Sequence, residues 1–131
     1  MSIITTLLVD DNTTFLDSAS RFLKTDGRIE VVGHATSGAE ALNEVRRLRP
    51  DVVVMEVVMP DMNGLDAARH FKTEPGAPVV VIASMHDHPE MRAAATQANA
   101  DGFVAKSSFC NDLLPLVKHL FDNREECPSP T

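Results

Sequence analysis

Asp51-Val-Val-Val-Met-Glu56-Val-Val-Met-Pro60 reads as a buried strand that ends by pushing one carboxylate out of its tip. An earlier apolar run, Ile3 to Val9, ends the same way in Asp10-Asp11. Three carboxylates gathered at strand ends repel one another unless a cation lies among them, so the pattern asks for a divalent metal held by Asp10, Asp11 and Glu56.

Working outward from this stretch, strand and helix patterns alternate. Asn12 to Lys24 carries Phe15, Leu16, Ala19, Phe22 and Leu23 at helical spacing, and Gly27 is expected to close that helix. Ile29 to Ala35 reads as a second strand. Ser37-Gly-Ala-Glu40 is a capping box that opens a helix with Ala41, Leu42, Val45 and Leu48 on one face, stopped by Pro50. Pro60-Asp-Met-Asn-Gly64 is a loop leading into a helix from Leu65 to Lys72. Val79 to Ala83 is too short for a helix, and its unbroken apolar run suits a strand covered on both faces. Asp87 stands as a cap before Pro89, a weak Ala-rich helix runs from Met91 to Ala98, and Gly102 to Ala105 forms a short strand. The last helix, Asn111 to Phe121, tolerates Pro115 only in its first turn. Five strands alternating with five helices predict an α/β fold, a single doubly wound parallel sheet with helices on both faces. Ligands of such sheets bind beyond the carboxyl ends of the strands, where Asp10-Asp11, Glu56, Ser84 and Lys106 all fall.

At 131 residues the chain is one domain with room for a real core. Residues 1–121 are expected to form that domain, and 122–131, with Pro128 and Pro130, a tail or linker stub. Cys110 and Cys127 are too few and too far apart for a disulfide framework or a thiolate zinc site. No leader pattern and no long apolar run is present, so a soluble, cytoplasmic protein with no membrane contact is expected. A net charge of −7 without a basic tract argues against nucleic-acid binding by this segment. His86-Asp87-His88 lacks the further ligands of a transition-metal site and reads as loop capping. Cys110 reads as an inert, half-buried thiol, and Met55, Met59 and Met62 as fillers of core and loop gaps.

The acidic pair Asp10-Asp11, the segment Met55 to Gly64, Ser84 after the fourth strand and Phe103-Val-Ala-Lys106 at the fifth occur in the order and at the strand ends of a known family. The chain resembles the receiver domain of bacterial two-component response regulators over residues 3 to about 121, with the flavodoxin-like fold that implies. Asp26 to Ala35 further resembles the subgroup whose receivers precede a helix-turn-helix DNA-binding domain. The resemblance implies a module that switches rather than an enzyme, taking a phosphoryl group from a sensor histidine kinase or phosphotransfer protein. By resemblance, Asp10, Asp11, Glu56 and the Val58 backbone carbonyl would hold Mg²⁺. Lys106 would pair with phosphoryl oxygens, and Ser84 would donate to them and move, opening space for Phe103. Phe103 is read either as that switch or as an ordinary core aromatic. By resemblance, output is expected on the face from Met91 to Phe121, with a homodimer as one form it takes.

Glu56 departs from the family pattern, which has Asp as phospho-acceptor. Its carboxylate reaches roughly 1.5 Å farther, about one C–C bond, and a misplacement on the order of 1 Å can cost about a hundredfold in rate. Normal phosphorylation is therefore expected to be blocked or partly mimicked, in a natural atypical receiver or an introduced Asp→Glu substitution. Met85 is a second departure, bulky where the family has a small residue. The alternatives are a phosphorylation-independent adaptor, a small Mg²⁺-dependent phosphotransferase or phosphatase using Asp10, and a nucleotide or flavin binder. The enzyme needs a capping insertion and a further acidic pair that the chain lacks. The binder needs backbone amides where Asp10-Asp11-Asn12 offers carboxylates.

Overall fold

The computed structural model describes residues 3–126. Strands β1 (Ile4–Val9), β2 (Ile29–Ala35), β3 (Val52–Met55), β4 (Val79–Ser84) and β5 (Gly102–Ala105) alternate with helices α1 (Thr13–Lys24), α2 (Gly38–Leu48), α3 (Gly64–Lys72), α4 (Pro89–Gln97) and α5 (Phe109–Glu126). The strands are all parallel and lie in the order β2-β1-β3-β4-β5. The expected doubly wound sheet is thus the one observed, and its switch point lies between β1 and β3.

Strand alternation divides the core in two. Leu7, Val9, Val53, Met55, Val80 and Ile82 face α2, α3 and α4, where Ala41, Val45, Leu65, Phe71 and Ala95 meet them. Ile4, Leu8, Val52, Val54, Val81 and Val104 face the other way, onto Leu16, Leu23, Leu113, Val117 and Phe121 of α1 and α5. Because β3 and β4 are covered on both faces, every residue in them is buried, which is why they read as continuous apolar runs.

Helix ends follow local side-chain chemistry, with corrections to the sequence reading. Asn12 caps α1, its side chain accepting from the Phe15 N–H at 3.1 Å. The helix closes at Thr25, in a right-handed conformation, and not at Gly27. Ser37 accepts from the Glu40 N–H, but Glu40 reaches back to the Thr36 N–H, one residue before the cap. His88, not Asp87, caps α4: its Nδ1 accepts from the Met91 N–H at 3.2 Å, and Pro89 takes the first helical position. An imidazole lone pair does here what the shorter carboxylate was expected to do.

Helix α5 begins at Phe109 and runs to Glu126, longer at both ends than Asn111 to Phe121. Pro115 therefore lies beyond the first turn. It denies the Asn111 carbonyl its helical donor, a cost limited because both residues are exposed and water can serve. The C-terminal extension has its own anchor, since Asp122 pairs with Arg28 and Lys118 with Asp26 at 2.5 Å. Of the expected tail, Pro128 and Pro130 lie outside the described residues. Cys110 is exposed rather than half-buried, on the outer side of the first turn of α5.

Gly64 fixes the path of the loop after β3. Its N–H donates to the Val57 carbonyl at 2.7 Å, and a Cβ placed there would lie 2.1 Å from the Glu56 carbonyl oxygen, a backbone atom with nowhere to go. Gly64→Ala is expected to destabilise the fold by about 3 kcal/mol, read as a lower urea midpoint at unchanged slope.

Candidate functional site

The sheet register assembles the site. Val9 lies opposite Met55, so the next residues, Asp10 and Glu56, leave β1 and β3 side by side, and the Glu56 N–H still donates to the Val9 carbonyl at 3.0 Å. Ser84 ends β4 opposite Ala105, which puts Lys106 one residue farther along β5, in a short 3-10 turn (Lys106–Ser108).

Lys106 joins the two carboxylates. Its Nζ lies 2.6 Å from Asp10 Oδ2 and 3.0 Å from Glu56 Oε1, and it also stands over the Phe15 ring, 4.4 Å from the centroid. Asp10 is 2% exposed and Glu56 6%. Burial pushes the Asp10 carboxyl above its ordinary range, against the Lys106 ammonium and the Asn12 N–H, which pull it down. For Lys106 burial favours the neutral amine, but the bonds to Asp10 and Glu56 together outweigh it and hold the ammonium above its ordinary range. The pocket therefore keeps its cation charged and disfavours the ionised form of one carboxylate.

Glu56 turns back on its own strand end. Oε2 accepts from the Val57 N–H at 2.6 Å and, at the limit of a hydrogen bond, from Val58 N–H at 3.5 Å. Ser84 is fully buried, and its Oγ accepts from the His86 N–H at 3.1 Å, shaping the loop that leads to α4. Phe103 is half-buried on β5, and the Arg92 guanidinium of α4 stacks on its ring at 4.6 Å. Arg92 also holds Asp87 with two contacts, Nε to Oδ1 at 2.6 Å and Nη2 to Oδ2 at 3.2 Å. Met85 is largely solvent-exposed at the rim, as is Val58 on the opposite loop.

Among the described residues no three His, Cys, Asp or Glu side chains stand close enough to hold a metal ion by themselves. Asp11 is exposed beside buried Asp10. The oxygens present suit a hard divalent cation in kind. Asp10 Oδ2 in particular is buried and makes no aligned hydrogen bond among the described residues, its close neighbour being the Lys106 ammonium. A magnesium ion drawing on these groups would complete its shell with backbone and water oxygens. The imidazoles of His34, His70 and His119 are at the surface, as expected.

Four residues matter here that sequence reasoning passed over. Phe15 backs Lys106, Arg92 links Phe103 to the loop after β4, and Gly64 permits the close turn under Glu56. Asp61 accepts from the Gly38 and Ala39 N–H groups at 2.9 and 3.0 Å, so the loop after β3 caps α2. Asn63 then caps α3. The signal for Asp61, Asn63 and Gly64 lay in the loop composition, two short acceptors followed by glycine, and only the long-range partner of Asp61, the start of α2, lay outside any local pattern.

A doubly wound five-stranded parallel sheet with an acidic pocket and a lysine at its carboxyl edge is the architecture of a signalling receiver domain. The chain belongs to the response regulator receiver domain family, whose profile matches residues 6–118. It is 35% identical to the chemotaxis protein CheY of Thermotoga maritima over 76% of this chain and 83% of that one. It is 41% identical to a protein-glutamate methylesterase/protein-glutamine glutaminase of Geobacillus kaustophilus, over 82% of this chain but only 31% of the relative's length. The chain thus spans less than a third of the methylesterase relatives it matches. A LuxR-family two-component response regulator from Aurantimonas superposes with a TM-score of 0.88 at 30% identity, covering 93% of this chain and 87% of that one.

Asp61 gives the site a pH signature. The Ala39 and Gly38 N–H groups hold its carboxyl below the ordinary 3.8. A depressed folded-state pKa contributes stability above the unfolded value, lost as pH falls through the folded one. Asp61→Asn is expected to be less stable than the parent at neutral pH, and the gap in urea midpoint to close as pH is lowered through and below 3.8.

Proposed function

We propose that this receiver domain carries glutamate at its phospho-acceptor position and that Glu56 holds the switch off. The carrying observation is the set of bonds Glu56 makes: Oε1 to Lys106, and Oε2 to the Val57 and Val58 N–H groups. Both of its oxygens are held by the strand end and the lysine, while Ser84 Oγ accepts from the His86 N–H. A carboxylate has one charge and two oxygens, against nearly two charges and three acceptor oxygens in a phosphoryl group. It satisfies Lys106 without recruiting Ser84.

With aspartate at position 56, the carboxylate would accept a phosphoryl group from the phosphohistidine of a sensor kinase or phosphotransfer protein. Lys106 would then pair with the phosphoryl oxygens and the Ser84 hydroxyl would donate to one of them, leaving room beside it for Phe103. Asp10, Asp11, the residue 56 carboxylate and the Val58 carbonyl would hold Mg²⁺, which when bound would neutralise charge on the transferring group. In this reading the module binds and switches and turns over no substrate of its own. Output would pass through α4, β5 and α5, residues Met91 to Phe121, by pairing with a second copy. A shallow groove lined by Arg92, Phe103, Pro115 and Leu116 supports that face as the contact. The segment is not expected to bind nucleic acid, and among the described residues no helix is long and apolar enough to cross a membrane.

Amide NMR spectra and solution mass should be compared for the parent chain and for Glu56→Asp, the latter with and without Mg²⁺ and beryllofluoride. The parent is expected to match untreated Glu56→Asp around Ser84 and Phe103, and the analogue to shift the aspartate protein in both measurements. A parent that matches the analogue-bound form would make Glu56 a working mimic and overturn the off assignment. No response of Glu56→Asp would leave an adaptor that does not switch.

A further inference from the structure

The mechanism above leaves Lys106 with a positioning problem. Its ammonium sits on a flexible four-carbon stem and carries three N–H donors, with two carboxylate oxygens, Asp10 Oδ2 and Glu56 Oε1, at salt-bridge distance. The side chain is 10% exposed, so water has little access to the third. What meets the ammonium instead is the face of Phe15, with Nζ 4.4 Å from the ring centroid, well inside the range of a cation–π contact.

We infer that Phe15 is a positioning residue for Lys106, its ring holding the ammonium between Asp10 and Glu56 and keeping water from it. The ring is itself held. It stands edge-on to Phe109 at 5.2 Å and 80°, and Phe109 in turn packs against Phe22 at 6.2 Å. Phe109 opens α5 directly after the turn that carries Lys106, so α1 fixes the ring and α5 fixes the turn through the same aromatic contact. Leu16, Ala19 and Leu23 are the fully buried apolar positions of α1, whereas Phe15 is only half-buried at the site end of the helix. An aliphatic residue would fill that partly exposed position equally well; only an aromatic offers the ammonium a negative face.

The inference rests on the proposed role of Lys106 toward phosphoryl oxygens, and its test has one arm that does not. In the parent chain labelled with ¹⁵N, the exchange lifetime of the Lys106 ammonium protons is measured for Phe15, Phe15→Leu and Phe15→Tyr. Leucine keeps apolar bulk without the ring face, and is expected to shorten the lifetime at least about threefold, while tyrosine stays close to the parent. In the Glu56→Asp background with Mg²⁺, Phe15→Leu is expected to weaken beryllofluoride binding by about threefold to tenfold, and Phe15→Tyr by less than about twofold. All readings are taken well below the thermal transition of each variant, so lost stability alone does not move them. An unchanged lifetime in Phe15→Leu, or an equal loss in Phe15→Tyr, overturns the inference. A lifetime that responds as expected in a protein whose Glu56→Asp form binds no beryllofluoride upholds the positioning role and overturns the phosphoryl role of Lys106.

Discussion

One ammonium shared between two buried carboxylates is the interaction on which the carboxyl edge of this domain depends. Asp10 leaves β1, Glu56 leaves β3 and Lys106 leaves β5, so the ion contact ties together strands that are not all neighbours in the sheet. Removing one partner of such a buried group typically costs about 3–5 kcal/mol, because the remaining charge stays desolvated. Removing Lys106 would be the worst case, since it leaves two carboxylates facing each other. The arrangement also explains the opposed behaviour of the groups: the lysine is held charged, and Asp10 is pushed toward its neutral form.

Glu56 carries one methylene more than an aspartate would, and the fold around it is undisturbed. The additional reach does not carry the carboxylate to Ser84 or out into solvent. It lets the chain bend so that Oε2 meets the Val57 and Val58 N–H groups while Oε1 stays on Lys106. The backbone around it is unstrained: among the described non-glycine residues, positive φ occurs at Arg49 and Asn99, both remote in sequence from this loop. The carboxylate is thus placed by side-chain torsions, and the strand, its hydrogen bond to Val9 and the Gly64 contact are all compatible with it.

The architecture was legible because β3 and β4 are short apolar runs covered on both faces and because α1 and α2 carry regular apolar stripes, signals set by burial alone. The pocket residues were legible as strand-end polar groups, since the parallel register places successive strand ends together. The cap of α4 was misread because Asp87 and His88 both offer an acceptor, and the pairing of Asp87 with Arg92, five residues on, leaves the cap to the imidazole. The C-terminal end of α5 was misread because the residue just past the expected end, Asp122, is anchored across the molecule on Arg28 rather than by an apolar stripe. Phe15 and Arg92 were invisible for the same reason, since each acts on a partner in another element, while for Asp61 only the partner, the start of α2, was hidden.

The two rims of the pocket are built from different materials. On the β3 side, Asp61 grips the first turn of α2, a Cβ at Gly38 would strike Met62, and Gly64 seals the turn against backbone, so that wall is riveted to the helical layer behind it. On the β4 side, Met85 to Pro89 are exposed, and α4 has Ala95 as its one buried residue; what holds that wall are side-chain clasps at the surface, Asp87 with Arg92 and His88 at the helix start. Segments with few buried apolar contacts open at low free-energy cost. The pocket therefore has one wall packed against the helical layer and one held mainly by surface contacts, so that opening costs less on the α4 side than on the β3 side.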